Sequence, residues 1–152
     1  MQNFIPEFVE ARSRSGEHSG SLKGTVLFVD VSGFTALTEY AFKMGDAGAE
    51  VMSRELTRVF DPMVESVHKA GGFIANFAGD AFTAVFPEGK SDGAAVASRA
   101  VGAAHEITAY FRQKATSKTR HGDFRFSVKC GLERGKIEWG TPATEDGKAR
   151  TW

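Results

Sequence analysis

The apolar positions in the first part of the chain fall into short runs of the length expected for strands. Residues 25–31, TVLFVDV, are almost continuously apolar, which predicts a central β-strand covered on both faces. Residues 73–77 and 80–86 are two further apolar runs, and a turn at Ala78-Gly79 between them indicates a β-hairpin. These segments therefore predict three strands.

The last part of the chain has a different pattern. In residues 124–132 the apolar residues alternate with polar residues or glycine, which predicts a strand buried on one face. Residues 135–140, GKIEWG, indicate the start of a further strand. The basic stretch at residues 112–123, RQKATSKTRHGD, has no such period and is expected to be a solvated loop.

Apolar residues spaced three and four apart predict the helices. They are expected at residues 4–12, 35–44, 47–70 and 93–111. The third helix is expected to bend at Pro62 but to remain one element. Residues 13–22 are polar, so we expect an N-terminal helix and linker over residues 1–22 and a domain over residues 23–152.

The order of the elements in this domain predicts the fold class. Strand, helix, helix, strand, strand, helix, strand is typical of an α+β, ferredoxin-like sandwich of the split β-α-β type, with helices on one face of a mostly antiparallel sheet. In that topology the first and third strands are antiparallel neighbours. Asp30 ends the first strand and Asp80 begins the third, so we expect the fold to bring two carboxylates together.

Composition and charge narrow the classes of function. The chain has 152 residues, of which 41% are hydrophobic and 25% charged, as in a single compact domain. Its 19 basic and 19 acidic residues balance, so we expect no nucleic acid partner, and its short apolar runs predict no membrane segment. The amino terminus lacks the apolar core of a secretory signal, and the single Cys130 fits a reducing compartment, so we expect a cytoplasmic protein.

Two neighbouring carboxylates need a compensating charge. At an effective dielectric constant of about 20, two unit charges about 4 Å apart repel by about 4 kcal/mol. Divalent cations neutralise such a pair, and oxygen ligands favour Mg²⁺ or Mn²⁺ over Zn²⁺. A site with two such ions could activate one oxygen and stabilise the leaving one during in-line attack on phosphorus.

The residues that follow Asp30 suit an anion. Ser32 and Gly33 allow backbone N–H groups to approach an anion closely. A helix that begins near Phe34 or Thr35 points its positive end to the same place. We therefore expect a triphosphate to bind at this turn.

Two stretches, FVDVSGFTALTE (residues 28–39) and HKAGGFIANFAGDAFTAVF (residues 68–86), resemble the catalytic domain of class III adenylate and guanylate cyclases. The resemblance is closest to the soluble-adenylyl-cyclase-like branch. It covers residues 23–140 and includes the glycine-spaced GLERGKIEWG (residues 131–140). Both motifs occur in the order that the family has.

The resemblance implies a role for each residue of the predicted site. Asp30 and Asp80 are expected to hold two Mg²⁺ or Mn²⁺ ions, joined by the carbonyl of Val31, while residues 32–35 cradle the phosphates. The implied reaction is attack of the ribose 3′-oxygen on the α-phosphorus, which releases pyrophosphate and a 3′,5′-cyclic nucleotide. The resemblance to the adenylyl branch implies ATP as the substrate in preference to GTP. A second cyclase domain, in a homodimer or in the same full-length chain, is expected to supply part of the site.

The sequence departs from the family pattern at two places. Adenylate cyclases of the family carry a lysine, and guanylate cyclases typically a glutamate, three residues before the glycine of the GD pair, where this chain has Asn76. Asparagine both donates and accepts hydrogen bonds, so Asn76 as a base contact and Asn76 as a plain strand residue stay equal alternatives. The chain stops at Trp152, before the family's later strand and helix, so we expect a truncated piece that is inactive alone.

The same residues also allow simpler interpretations. Asp30 could be a helix cap and Asp80 a hairpin residue, and the 13 phenylalanines are expected mainly in the core. Two rival functions follow. One is a degenerate cyclase-like module that binds nucleotide or a partner without turnover, and the other is a ferredoxin-like interaction domain.

Overall fold

The computed structural model describes residues 7–119 and 122–140. The helices are α1 (Glu7–Arg14), α2 (Phe34–Met44), α3 (Asp46–Lys69) and α4 (Gly93–Lys114). The strands are β1 (Ser19–Ser32), β2 (Phe73–Ala78), β3 (Ala81–Pro87), β4 (Thr116–Thr119), β5 (Gly122–Arg125) and β6 (Ser127–Gly140). Residues 4–6 of the first predicted helix and residues 141–152 of the predicted domain lie outside the described residues.

Four strands form an antiparallel sheet in the order β2-β3-β1-β6. Residues 24–30 of β1 pair with residues 81–87 of β3, and on its other edge β1 pairs with β6 from Ser19 to Ser32. The predicted antiparallel contact between the first and third strands is therefore confirmed. The α+β fold class with its antiparallel sheet is confirmed as well.

The sheet has one face covered by helices α2, α3 and α4. Leu27, Val29 and Val31 of β1 are fully buried in the core that these helices form with the sheet. The residues between them point to the other side, which we call the open face, because successive side chains of a strand alternate. On the open face Phe28 is 48% exposed. The hydrophobic core therefore lies on the helical side.

Helix α4 packs on the sheet through the stripe that its spacing predicts. The buried members of that stripe are Val96, Ala100, Ala104, Ile107 and Phe111. The helix begins after Asp92, whose side chain accepts a hydrogen bond from the backbone N–H of Ala94 over 3.2 Å. Within the described part of the chain, no helix combines the length and apolar character that crossing a bilayer requires.

Helix α3 continues through Pro62 as one element, as predicted. Proline has no N–H to donate, so the carbonyl of Arg58, one turn earlier, loses its helical partner. The hydroxyl of Tyr110 on α4 donates to that carbonyl over 3.0 Å. This contact between helices replaces the missing bond inside the helix.

Helix α1 packs against the open face. Phe8 stacks on Phe73 at 6.0 Å between ring centroids and meets the ring of Trp139 edge-on at 5.6 Å. The register of β2 with β3 and that of β6 with β1 put Phe73 and Trp139 on the open face. The predicted linker is also shorter than expected, because residues 19–22 already belong to β1 and pair with residues 137–140.

Two predictions for the last part of the chain are wrong. Residues 116–119 and 122–123 lie in the stretch expected to be a loop, but they pair, together with residues 124–125 from the start of the predicted strand, as the two-stranded sheet β4-β5. Residues 135–140 do not start a new strand but continue β6. The reason is that β1 extends back to Ser19 and supplies pairing partners along this whole length.

The predicted hairpin of β2 and β3 is confirmed, with its turn one residue later than expected. Ala78 pairs with Ala81, so Gly79 and Asp80 form the turn. Gly79 has a φ of 62°, which glycine adopts without strain. Asp80 therefore precedes β3 rather than beginning it.

Candidate active site

The backbone brings Asp30 and Asp80 together at one edge of the sheet. Asp30 pairs with Ala81, and the backbone N–H of Val31 donates to the carbonyl of Asp80 over 3.1 Å. The Asp30 residue is partly buried and Asp80 is exposed. The predicted meeting of these two strand ends is confirmed, and the role of the two carboxylates in metal binding stays a prediction.

The donor atoms at this edge fit hard divalent cations. Carboxylate and backbone carbonyl oxygens are the ligands that such ions prefer. Among the described residues, neither Asp30 nor Asp80 takes part in an ion pair. In that same part of the chain there is no cluster of three or more His, Cys, Asp or Glu that could hold a metal. A cation here would rely on the two carboxylates, the Val31 carbonyl and oxygens of a substrate.

The turn after β1 requires glycine at position 33. Gly33 has a φ of 116°, which other residues rarely adopt. A Cβ added there would lie 2.3 Å from the backbone carbonyl oxygen of Arg125. The turn therefore rests directly on the segment between β5 and β6, and only glycine allows this approach.

Helix α2 begins at this turn and leaves its first N–H groups available. Gly33 is the cap residue, so no side chain caps the helix, and no acidic residue lies in its first turn. Ser32 and Thr35 are exposed. Phe34 is buried, with its ring 4.9 Å from Phe126 and 5.9 Å from Phe60, so only its backbone can meet an anion. The predicted phosphate-binding turn has the shape for that role.

Asn76 lies on the open face but not next to the aspartates. It pairs with Thr83 just after an irregularity in β2, and Thr83 in turn pairs with Phe28. Phe28 is two residues before Asp30, so the Asn76 side chain shares a face with Asp30 one row of the sheet away. A base contact at Asn76 stays a prediction.

Lys129 was not connected to the site by sequence reasoning. It pairs with Asp30 across β1 and β6, so both side chains belong to the same row of the open face. Lys129 is exposed and forms no ion pair with a described residue. The alternation of the predicted strand places Lys129 on the open face, where it could contact a second subunit or simply be solvated, but only the register aligns it with Asp30.

Comparisons with known proteins extend this picture. No protein-family model matches the chain. Over 117 residues it is 33% identical to an adenylate cyclase of Anabaena cylindrica, a match that covers 77% of this chain and 22% of that protein. It is also 36% identical over 117 residues to adenylate cyclase type 10 of Rattus norvegicus, covering 75% of this chain and 7% of that protein.

The fold also matches a solved cyclase structure. The dimeric guanylyl cyclase domain of the RhoGC fusion protein from the aquatic fungus Blastocladiella emersonii aligns with a TM-score of 0.63 at 19% identity. That alignment covers 84% of this chain and 66% of the fungal one. The sheet and helices described above thus have the same fold as that domain.

By sequence and fold together, the chain belongs to the class III adenylate and guanylate cyclase family. The likeness to adenylate cyclase type 10 agrees with the soluble-adenylyl-cyclase-like branch that the motifs indicate. The chain spans 22% of the cyanobacterial relative and 7% of the rat relative.

Proposed function

We propose that this domain converts ATP to 3′,5′-cyclic AMP and pyrophosphate as the catalytic domain of a nucleotidyl cyclase. The observation that carries the proposal is the pairing of the strand ends at Asp30 and Asp80 beside the turn at Gly33. Two carboxylates next to open helix N–H groups suit a ligand that is polyanionic and also binds cations. A nucleoside triphosphate has both properties.

Each residue of the site has a part in holding this substrate. Asp30 and Asp80, with the carbonyl of Val31, would hold two Mg²⁺ or Mn²⁺ ions. When bound, these ions supply positive charge that neutralises the triphosphate and favours ionisation of the ribose 3′-hydroxyl. The N–H groups of residues 32–35 bind phosphate oxygens and orient the α-phosphorus. Lys129 adds a cation in the same row as Asp30.

The reaction needs no further reactant. The 3′-oxygen forms a bond to the α-phosphorus, the bond from that phosphorus to the bridging oxygen breaks, and pyrophosphate leaves. The proton of the 3′-hydroxyl passes to solvent. The chain's contribution is therefore positioning and electrostatics.

GTP is the alternative substrate, and the hydrogen-bonding capacity of the Asn76 side chain is the observation that supports it. A lysine donates only, and a carboxylate accepts only, whereas the Asn76 amide does both. Its neutral side chain therefore fits the base edge of either nucleotide. The similarity to adenylate cyclases supports ATP, and the fold shared with a guanylyl cyclase domain is equally compatible with GTP.

A second cyclase domain is proposed to complete the site from the open face. That face exposes Phe28 and carries Asp30 and Lys129, so a partner placed there would meet the substrate. The fungal structure with the same fold is described as dimeric. Homodimerisation and pairing with another domain of a longer chain are both compatible with this arrangement.

The test measures cyclic nucleotide formation by the protein expressed from its native reading frame. ATP or GTP is supplied with Mn²⁺, and the product is identified by chromatography and mass spectrometry. Asp30→Asn removes one charge at nearly constant shape, and Glu65→Gln, at an exposed position of α3 beside Lys69, is the matched control. We expect cyclic AMP, a loss of about 100-fold or more in Asp30→Asn and unchanged activity in Glu65→Gln.

Other outcomes separate the alternatives. Cyclic GMP as the main product would assign the domain to guanylate cyclases. Triphosphate binding without any cyclic product would favour the degenerate module. Full activity in Asp30→Asn would contradict the mechanism.

A further inference from the structure

A partly buried ion pair on α3, between Glu55 and Arg58, lies outside the site described so far. Glu55 is only 3% exposed, although carboxylates are seldom buried without partners. Its Oε2 atom accepts a hydrogen bond from Nε of Arg58 over 2.9 Å, and the side chain of Ser117 forms a second one. Burial pushes the pKa of Glu55 upward, but these hydrogen bonds and the nearby arginine charges together lower it. Glu55 is therefore ionised at neutral pH.

Glu55 and Arg58, which we call the α3 clamp, contact two connecting segments: the end of α4 before β4, and Phe126 between β5 and β6. Nη1 of Arg58 donates to the carbonyl of Lys114 over 3.4 Å, just before β4. The Arg58 guanidinium carbon lies 5.7 Å from the centroid of the Phe126 ring. Phe126 is itself fixed by its backbone N–H, which donates to the carbonyl of Ala115 over 2.7 Å. The clamp thus fixes Phe126 between β5 and β6.

The predicted phosphate-binding turn packs against Phe126. Its ring centroid lies 4.9 Å from that of Phe34, the first residue of α2. A Cβ at Gly33 would lie 2.3 Å from the Arg125 carbonyl oxygen and 3.2 Å from Cα of Phe126. Because the Phe34 and Phe126 rings are packed together and Gly33 leaves no room for even a methyl group against this segment, we expect a shift of Phe126 to move the turn.

We propose that Glu55 and Arg58 are positioning residues for the turn at residues 32–35. The inference rests on the proposed function, because that function gives the turn its phosphate. An ion pair buried in this way adds little stability compared with apolar packing. Its directional hydrogen bonds instead hold the Arg58 guanidinium over the Phe126 ring, and the N–H groups of the turn depend on where that ring lies.

The experiment compares Arg58→Met and Glu55→Gln with the wild-type chain. The matched control is Glu65→Gln, which breaks an exposed pair with Lys69 on the same helix. Inorganic triphosphate with Mn²⁺ is the ligand used, and its dissociation constant is measured by titration below the melting temperature of every variant. The amide ¹H–¹⁵N signals of residues 33–35, recorded before any Mn²⁺ is added, report the position of the turn. Arg58→Lys serves as the milder variant if Arg58→Met does not fold.

The two clamp variants separate positioning from simple charge effects. Charge alone predicts weaker anion binding in Arg58→Met and tighter binding in Glu55→Gln, because one loses a positive and the other a negative charge. Positioning predicts weaker binding in both, by about five- to tenfold, with shifted turn signals. Glu65→Gln should leave binding and signals unchanged.

Each outcome decides the proposal. Tighter binding in Glu55→Gln, or turn signals that stay in place in both clamp variants, would overturn it. A wild-type chain that does not bind triphosphate would overturn it as well. If the clamp variants bind triphosphate more weakly with shifted signals while the wild-type protein makes no cyclic nucleotide, the proposed function fails and the positioning role stands.

Discussion

Replacing Gly33 by alanine tests how the fold supports the phosphate-binding turn. The substitution adds a methyl group where φ is 116° and where a Cβ would lie 2.3 Å from the Arg125 carbonyl oxygen. Real Cβ atoms essentially never come closer than 3.0 Å to a neighbour. The backbone must therefore move by at least 0.7 Å, the difference between these distances.

Two costs add in this variant. A left-handed backbone costs an L residue about 1–2 kcal/mol. Overpacking against a fixed neighbour costs about 1–3 kcal/mol. Arg125 is such a neighbour, because it pairs with Thr116 and is followed by the hydrogen bond from Phe126 to Ala115. The free energy of unfolding should fall by about 2–5 kcal/mol and the melting temperature by about 4–20 °C.

Urea denaturation followed by circular dichroism measures this loss. Gly89→Ala is the control, because Gly89 has a φ of 56° and no atom within 4 Å of its added Cβ. In Gly89→Ala the free energy of unfolding should fall only by the cost of the left-handed backbone, about 1–2 kcal/mol. A loss in Gly33→Ala no larger than in Gly89→Ala would refute the close contact between the turn and Arg125.

Three further predictions concern single contacts. Tyr110→Phe should lower the free energy of unfolding by about 1 kcal/mol, since it leaves the Arg58 carbonyl without its donor. In a Pro62→Ala background, where the helix supplies that donor again, the loss should nearly vanish, and an equal loss in both backgrounds in urea denaturation would be contrary evidence. The pKa of Glu55 is lowered from 4.5, so its ionised form stabilises the fold above about pH 4.5 and this contribution is lost on acidification. The stability difference between wild type and Glu55→Gln should therefore shrink below pH 4.5, and a difference that grows there would show the opposite sign. Lys129→Met should raise the KM for the nucleotide about tenfold in steady-state assays with little change in kcat; an unchanged KM would remove Lys129 from the site.

The parts of the fold that sequence predicts best depend on local pattern. The continuous apolar run of β1 and the alanine stripe of α4 can be recognised in the sequence, because the positions that are buried in each element recur at a regular spacing. The meeting of Asp30 and Asp80 then follows from topology. Strand β4 and the first half of β5 are missed because residues 116–119 and 122–123 contain no apolar side chain, so their pairing leaves no periodic signal.

The features that the sequence does not predict depend on contacts between residues far apart in the chain. Glu55 looks like any acidic residue of an amphipathic helix, and its burial is set by Arg58 and by Ser117, which is 62 residues further on. The packing of α1 depends on Phe8 meeting Trp139 from the far end of the chain. The expectation that phenylalanines belong mainly to the core fails for Phe28, because alternation in β1 turns it to the open face.

We expect Asp30 and Asp80 to bind the same divalent cations. The most direct measurement is a titration of the ¹⁵N-labelled chain with Mn²⁺ in the presence of inorganic triphosphate, since the paramagnetic ion broadens the amide signals nearest to it. We expect the signals of residues 30–33 and 79–81 to broaden together at the same Mn²⁺ concentration, and this broadening to disappear in Asp30→Asn and in Asp80→Asn. Broadening of only one segment, or equal broadening in the variants, would contradict a shared cation site.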